Sequence, residues 1–430
     1  MRAIFGDFWL VASAVLVYAG LLSNSTVVLA LGVLVLGAGG VSRLWARISL
    51  EEVEYRRELS DTRAFVGETI ELDVHLSNGK FVPVPWVEVR ELVPEGMPVL
   101  GGRTRASGLP RLNALLRNTA LRGHERLVWP LRLQAVTRGY FRIGPTRLRS
   151  GDLFGFFESE REVEGQDALV VYPRTYSLAD LGFGSARPFG EQRGGNRIFE
   201  DPARTIGVRD YLPGDPLKRV DWNATARVGR LQSRLYEPSR TQSLVVALNI
   251  TTMERTWRGY DPVLLERGVS VAASIARAVF EEGSAVGLVA NGSFPDADRP
   301  LRVASNRRPD QLVRVLETLA MISPYTTSLL SELLESREHG LSAGATVVVV
   351  AALMPRDLAA TLQRLRSEGH TVHVVRTSDK DWDAPLGPIP VVDLEPVMRR
   401  LEEQDAAADA TRAVAEDAAS RLSGPTGAAR

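Results

Sequence analysis

The sequence contains no cysteine, and arginine supplies almost all of its positive charge. Without cysteine the chain can form no disulfide, thiolate nucleophile, cysteine-ligated zinc site or iron–sulfur cluster. Lysine occurs only at Lys80, Lys218 and Lys380, which we attribute to genome composition. The 52 Lys and Arg residues balance the 52 Asp and Glu residues, so the formal net charge is +0. This balance argues against a nucleic-acid partner, because such proteins usually carry a basic domain.

A long stretch near the N-terminus also lacks charge. Residues 8–42 contain no charged side chain, and one membrane span needs only about 20 apolar residues. Polar residues 23–25 interrupt the stretch with a turn signal. We therefore expect a transmembrane helical hairpin within residues 1–48, with helices near 4–22 and 26–45. The small residues that would let these helices approach closely are Gly32, Gly37, Gly39 and Gly40.

Basic residues flank both ends of the expected hairpin. Arg2 precedes the first helix, and Arg43, Arg47, Arg56 and Arg57 follow the second. Since basic flanks stay on the cytoplasmic side, we expect a multi-pass protein of the inner (plasma) membrane with its soluble domains in the cytoplasm. A cleaved signal peptide is the alternative, but no convincing small-x-small cleavage site ends the first run.

The next segment, residues 49–175, reads as a series of short strands. Residues 68–76 alternate polar and apolar side chains, which is the period of a half-buried strand, and Asn78-Gly79 then marks a turn. Several strands with turn signals between them predict an antiparallel β-sandwich-like domain. We expect the Gly- and Arg-rich stretch 101–123 to be a mobile loop.

The most distinctive segment is residues 207–227, within a stretch (176–240) that we expect to link two domains. Residues 213–215 combine Pro, Gly and Asp in a tight turn. Asp221 can cap a short helix that starts at Trp222, a large apolar anchor, and Gly229 can end that helix. Acidic and basic residues alternate along the segment and would form ion pairs if the fold brings them together.

This spacing resembles the bacterial family called domain of unknown function 58. The matching positions are Arg209, Tyr211, Gly214, Asp215, Arg219, Asp221, Trp222, Ala226 and Arg227. The resemblance implies two N-terminal membrane helices, a β-rich region, this signature and then a fold similar to von Willebrand factor A. It also implies an association with AAA+ ATPases of the MoxR type, with no assigned biochemical role. The signature itself could fasten the β-rich region to the next domain, form a docking surface for a partner protein, or form an active site.

Residues 241–402 change to an α/β pattern. Residues 244–248 form a continuous apolar run typical of a strand buried on both faces, and Asp261-Pro262 marks a helix start. Strands and helices then alternate, which predicts a doubly wound sheet of the von Willebrand A-like type. After about residue 402 we expect a helix that frays into a disordered tail, with the tail assigned to residues 403–430.

Three positions after the first of these strands bear on metal binding. The von Willebrand A fold holds a metal there through an Asp-x-Ser-x-Ser loop, and the corresponding residues here are Asn249, Thr251 and Met253. The carboxylate is missing, and a thioether is a poor ligand for magnesium. We therefore expect a degenerate site without metal, and no other cofactor.

The sequence offers no nucleophile, phosphate loop or acid/base set. We therefore expect a non-enzymatic, membrane-anchored scaffold or interaction protein that partners a MoxR-type AAA+ ATPase. The alternative is an envelope-processing enzyme or a direct regulator of one. A third possibility is a structural protein whose membrane tether only positions the β-rich domain.

Overall fold

The structure, a computed structural model, describes residues 8–102, 104–183, 200–212, 215, 217–238, 243–254, 259–294, 297–336, 341–342, 344–382 and 384–422. The chain divides into two compact units. The first comprises Met1–Tyr172 together with Asp405–Arg430, and the second comprises Pro173–Gln404. The apolar helices and the strand-rich region thus belong to one unit, and the signature segment and the α/β region belong to the other.

Two apolar helices open the first unit, α1 (Phe8–Leu22) and α2 (Thr26–Ser49). The turn between them confirms the break expected at residues 23–25, and Asn24 adopts φ 47° there. The helices lie side by side, because a Cβ added at Gly32 would come within 2.8 Å of Val17. A Cβ at Gly39 would collide with the Trp9 ring. Gly37 and Gly40 face open space instead.

Among the described residues, one helix is long and apolar enough to cross a membrane by length and composition, namely α2. Its 24 residues extend for about 36 Å at 1.5 Å per residue, against about 30 Å for a hydrocarbon core. Helix α1 has 15 described residues and is shorter. Both helices expose large apolar side chains, including Val11, Val15, Tyr18, Leu21, Val27, Val33, Leu34, Val41 and Leu44.

Eleven described strands follow in the first unit and form three sheets. They are β1 (Val53–Leu59), β2 (Arg63–Phe65), β3 (Thr69–Asn78), β4 (Val84–Pro94), β5 (Thr104–Ala106), β6 (Leu112–Leu121), β7 (Arg126–Gln134), β8 (Gly139–Ile143), β9 (Thr146–Gly151), β10 (Glu158–Val163) and β11 (Asp167–Tyr172). The sheet orders are β1-β3-β7, β10-β9-β4-β6-β5 and β2-β11-β8. All pairs are antiparallel except β2 with β11.

The alternation along β3 sets the core of this unit. Ile70, Leu72, Val74 and Leu76 point inward and are buried, so the expected half-buried strand is confirmed. The expectation of a mobile loop at 101–123 is wrong, because β5 and β6 occupy most of that range. Strand β6 pairs with β4 along its length and contributes buried side chains, which ties it to the core.

A buried charged cluster lies between the sheets of this unit. Glu91 is 2% exposed, and its carboxylate accepts hydrogen bonds from Arg57 Nη1 (2.7 Å), Thr146 Oγ1 (2.7 Å) and the Tyr55 hydroxyl. Arg57 also pairs through Nε with Asp167 at 2.8 Å. Burial, and next the Glu91 charge, raises the pKa of the Tyr55 hydroxyl well above its ordinary value. The cluster is satisfied by its own members, which a buried charge requires.

Replacing Glu91 by Gln should destabilise the protein by about 3 kcal/mol, because it leaves the buried Arg57 guanidinium without its closest counter-charge. The measurement is denaturant unfolding of the detergent-solubilised protein followed by tryptophan fluorescence. Glu160→Gln is the control, since Glu160 is exposed and lies 3.8 Å from Arg147, and exposed pairs contribute about 0–1 kcal/mol. Equal unfolding midpoints for the two variants would contradict the role given to Glu91.

The second unit begins with a two-stranded ribbon and continues as an α/β sheet. Its described helices are α3 (Trp222–Val228), α4 (Pro262–Glu281), α5 (Gln311–Ala320), α6 (Leu330–Glu335), α7 (Arg356–Ser367) and the first part of α8 (Glu395–Leu422), whose residues from Asp405 onward belong to the first unit. Its described strands are β12 (Glu200–Asp210), β13 (Gln232–Pro238), β14 (Ser243–Asn249), β15 (Ala285–Phe294), β16 (Ala297–Asn306), β17 (Ser323–Thr326), β18 (Thr346–Ala351), β19 (Thr371–Arg376) and β20 (Val391–Asp393).

The larger sheet has the order β16-β15-β14-β18-β19-β20, with β17 also paired to β15. Strands β15, β14, β18, β19 and β20 run parallel, and β16 and β17 are antiparallel to β15. The expected strands at 346–351 and 371–376 are confirmed. Because these five strands are parallel, their carboxyl ends meet at one edge of the sheet, and loops at that edge carry Asn249 and its neighbours.

A buried arginine fixes the start of helix α8. Arg267 on α4 donates from Nε and Nη2 to the two carboxylate oxygens of Glu402, each at 2.8 Å, and from Nη1 to the Thr377 carbonyl at 3.0 Å. The helix then continues through Leu422. The helix that the sequence predicts after residue 402 is present and extends to Leu422, whereas residues 423–430, where the expected tail ends, lie outside the described residues.

Candidate functional site

The signature segment is built on the antiparallel ribbon of β12 and β13. Asp210 lies opposite Gln232 in the register, and the Gln232 amide Nε2 donates to Asp210 Oδ1 at 2.6 Å. The Gln232 backbone N–H donates to Thr225 Oγ1 at 3.0 Å. The Tyr211 N–H donates to the Leu231 carbonyl at 2.9 Å. These bonds fix both ends of the segment on one ribbon.

A carboxylate closes the turn that follows β12. Asp215 forms a two-point ion pair with Arg209, with both nitrogen–oxygen distances at 2.8 Å. Its Oδ2 also accepts the Leu212 N–H at 3.1 Å, and its carbonyl accepts the Tyr211 hydroxyl at 2.9 Å. The Arg209 hydrogen bond holds the pKa of Asp215 below its usual value. The signature residue Gly214 lies outside the described residues.

A second carboxylate starts helix α3, as the sequence predicts. Asp221 Oδ1 accepts the N–H groups of Asn223 and Ala224, each at 3.0 Å, and Arg234 Nε donates to its Oδ2 at 3.1 Å. Gly229 ends the helix with φ 72°. The Ala224 N–H bond, followed by Arg234, lowers the pKa of Asp221. The expected cap and stop are confirmed.

The signature segment leaves its large apolar side chains in solvent. Trp222 is 66% exposed, so it is not the packed anchor that the sequence suggests within its own unit. Arg227 is also exposed, whereas Arg219 is partly buried and Val220 is buried. Further exposed apolar side chains of the segment and its flanks are Val208, Leu212, Leu217, Val228 and Leu231. We call Trp222 and these five residues the signature surface.

Asp221→Ala should raise the hydrogen-exchange rates of the Asn223 and Ala224 amides, because their acceptor is removed. Asp221→Asn should largely retain protection, since Asn is an equally good cap. In the wild type, the lowered pKa of Asp221 means that its ionised carboxyl stabilises the folded protein at any pH above the unfolded pKa of about 3.9. That contribution is lost as the pH falls through the lower folded pKa. Hydrogen exchange measured by mass spectrometry tests the protection of the Asn223 and Ala224 amides. Equal protection in Asp221→Ala and in the wild type would refute the capping role of Asp221.

The degenerate metal positions lie at the carboxyl edge of the larger sheet. Asn249 is buried, and its Nδ2 donates to the Leu353 carbonyl at 3.1 Å. Its Oδ1 accepts the Thr251 N–H at 3.2 Å and Asn291 Nδ2 at 3.1 Å, while Asn291 Oδ1 accepts the Ile250 N–H at 2.9 Å. The side chain of Asn249 thus forms a turn and joins neighbouring loops.

Lysine supplies the positive charge beside this loop. The Lys380 ammonium donates to the Thr252 carbonyl at 2.6 Å and lies 3.9 Å from Met253 Sδ. Sequence reasoning misses both Lys380 and Asn291. The available signals are the rarity of lysine in an arginine-rich chain and a polar residue directly after the apolar run 286–290.

This donor set does not fit magnesium, which prefers carboxylate and water oxygens. The amides of Asn249 and Asn291 are bonded to each other and to the backbone, and an ammonium beside the loop repels a second cation. Over the described residues, no group of three or more His, Asp or Glu side chains is arranged to hold a metal ion.

Magnesium should therefore leave the thermal unfolding midpoint of the detergent-solubilised protein unchanged, and so should a chelator. Any ion that binds the folded state alone would raise stability by RT ln(1 + [L]/Kd), about 2.7 kcal/mol at a hundredfold excess over Kd. Differential scanning fluorimetry with millimolar magnesium or EDTA provides the measurement. A rise of the midpoint with magnesium that the chelator reverses would show that the sheet edge does bind a cation.

The sequence profile of a family described as "Protein of unknown function DUF58" matches residues 207–421, which is half of the chain. This chain belongs to the DUF58 family. The DUF58 match begins on the ribbon strand that carries Arg209, continues through the turn that contains Asp215, and includes the whole larger sheet. The two apolar helices and the strands of the first unit lie outside the match.

Other similarities add little to the functional picture. The chain is 26% identical over 250 residues to the Uncharacterized protein YeaD of Bacillus subtilis (strain 168), and the match spans 58% of each chain. A CARDB domain from Pyrococcus furiosus is 16% identical, with a TM-score of 0.17, over 28% of this chain and 94% of its own. A cohesin module of a Clostridium perfringens glycoside hydrolase is 11% identical, with a TM-score of 0.20, over 28% and 97%. At such scores these structures support no inference about function.

Proposed function

We propose that this DUF58 protein is a membrane-anchored scaffold of the bacterial inner membrane whose signature surface docks a partner protein. The observation that carries the proposal is the exposure of Trp222 on a segment whose backbone is otherwise fixed by hydrogen bonds. Exposed large apolar residues on an ordered segment are typical of interaction sites. Tryptophan is also among the residue types enriched in the energetic hot spots of protein interfaces.

The anchor of the scaffold is the pair α1 and α2, which we propose to cross the membrane as a hairpin. Support comes from the apolar length of α2, from the close contacts at Gly32 and Gly39, and from the apolar side chains exposed on both helices. The arginines that follow residue 42 favour a cytoplasmic position for both ends. The folded mass of the protein would then lie at the inner leaflet.

The partner that we propose is an AAA+ ATPase of the MoxR type, and the α/β part would act as a von Willebrand A-like module. The choice of partner rests on the family resemblance. The von Willebrand A-like assignment is supported by the parallel order of the larger sheet and by the turn that Asn249 forms at its carboxyl edge. The satisfied amides and the ammonium at that edge favour recognition that needs no metal. The protein would therefore act by binding, and we assign it no catalytic residue.

Trp222→Ala should weaken binding of the purified MoxR-type ATPase from the same organism by at least about tenfold, because a hot-spot side chain contributes about 2 kcal/mol or more. The measurement is the Kd between that ATPase and the full-length protein in lipid nanodiscs, obtained by biolayer interferometry. The variant should keep the wild-type unfolding midpoint, since Trp222 is exposed.

The matched control for this experiment is Tyr325→Ala. Tyr325 is an aromatic residue of the same unit that is exposed to a similar degree and lies outside the signature. Its loss should change the Kd by less than about twofold. The proposal fails if the wild-type protein shows no binding, and the role of the signature surface fails if both variants bind equally well.

A further inference from the structure

A short loop of the first unit exposes an unusual concentration of apolar side chains. Residues 153–156, here called the aromatic loop, connect β9 to β10. Leu153, Phe154 and Phe156 are 69%, 71% and 69% exposed, and the two phenylalanine rings stack with centroids 5.7 Å apart. Single exposed apolar residues are ordinary, but three within four residues form a patch that calls for an occupant.

The aromatic loop is held in its exposed position by a buried carboxylate. Asp152 is 1% exposed, and its two side-chain oxygens accept the N–H groups of Phe154 (3.0 Å) and Phe157 (2.8 Å). Trp86 Nε1 donates to the Asp152 carbonyl at 3.0 Å. Gly155 supplies the positive φ, 72°, that the turn requires. Because the backbone is fixed, the loop cannot readily fold its side chains back into the core.

The aromatic loop lies beside the two apolar helices. The ring of Phe157 meets the ring of Trp9 on α1 edge-on at 5.8 Å, and the Arg43 guanidinium of α2 lies 6.0 Å from its centroid. Trp9 in turn packs on Gly39 of α2. These contacts place the loop at the level where the uncharged stretch ends and the arginines begin. In a membrane protein that level is the boundary between acyl chains and headgroups.

We propose that the aromatic loop inserts into the lipid bilayer at this boundary, next to the helices, and that Arg43 faces the anionic headgroups around it. The proposal rests on the membrane anchoring proposed above. A bilayer is the occupant that the contacts favour, because the loop continues the exposed apolar surface of α1 and α2 and carries the aromatic residues that prefer the interface. Apolar faces of interfacial elements enter the boundary region to a depth of about 5–10 Å. The loop would thereby set the tilt of the strand-rich region on the membrane.

The absence of cysteine allows a direct test, because one introduced thiol can carry a single fluorophore. Three full-length variants, Phe154→Cys, Leu34→Cys and Leu109→Cys, are labelled with the environment-sensitive dye NBD. Each is reconstituted into vesicles of phosphatidylcholine and phosphatidylglycerol, with or without nitroxide-labelled acyl chains. Leu34 is an exposed residue of α2, and Leu109 is an exposed residue in the turn between β5 and β6. Strand β5 lies at the sheet edge opposite β10.

Shallow nitroxides should quench the dye at position 154 at least about threefold more than at position 109, and nitroxides should also quench the dye at position 34. If position 34 is quenched and position 154 resembles position 109, the loop faces water and the inference is overturned while the anchor stands. If position 34 is not quenched, the anchor itself fails, and the loop inference fails with it.

Discussion

The structure of the first unit depends on how the carboxyl end of helix α2 is satisfied. The last carbonyl groups of a helix have no partner within it, and cationic groups near that end are stabilising. Here the Lys80 ammonium donates to the Ser49 and Glu51 carbonyls at 2.7 and 2.5 Å. The Arg161 guanidinium donates to the Leu50 carbonyl at 3.0 Å and to the Val53 carbonyl. Burial lowers the pKa of Lys80, because its ammonium group has lost part of its hydration. The strands are thus attached to the end of an apolar helix by side chains from the β3–β4 loop and from β10, and the level of the aromatic loop follows from that attachment.

The aromatic loop and the signature surface are both held in place by the same kind of hydrogen bond. In each, an aspartate accepts backbone N–H groups of a short turn or helix start, namely Asp152 in the first case and Asp215 and Asp221 in the second. The carboxylate replaces the hydrogen bonds that a longer regular element would supply. The neighbouring large side chains therefore remain exposed on an ordered backbone, and binding pays little additional conformational entropy. This is why exposure at Trp222 and Phe154 favours recognition over fraying.

The sequence predicts those parts of the fold whose signal is local. Asp221 and Gly229 mark helix α3 because capping chemistry involves residues within one turn, and the apolar run of β18 marks a buried parallel strand. The mobile loop expected at 101–123 fails because β6 has few β-branched or aromatic residues, and only its pairing with β4 makes it a strand. The bond between Asn249 and Asn291 and the position of Lys380 depend on residues more than 40 positions apart. No pattern within a short window can reveal them.

The chemistry at the sheet edge also bears on where the proposed partner would bind the second unit. A loop that uses a metal must bring several anionic oxygens together, and the metal then offers a strong open site to a partner carboxylate. In this chain two neutral amides satisfy the loop backbone instead, and one lysine provides a single positive charge whose donors already bond a carbonyl. The two amides that the structure describes at this edge are already hydrogen-bonded, so they offer little for a strong polar contact with a partner. The exposed apolar side chains of the signature surface, Trp222 among them, are available for burial. In the interaction that we propose, affinity would therefore come mainly from burial of that surface, with a weak dependence on salt and none on divalent ions.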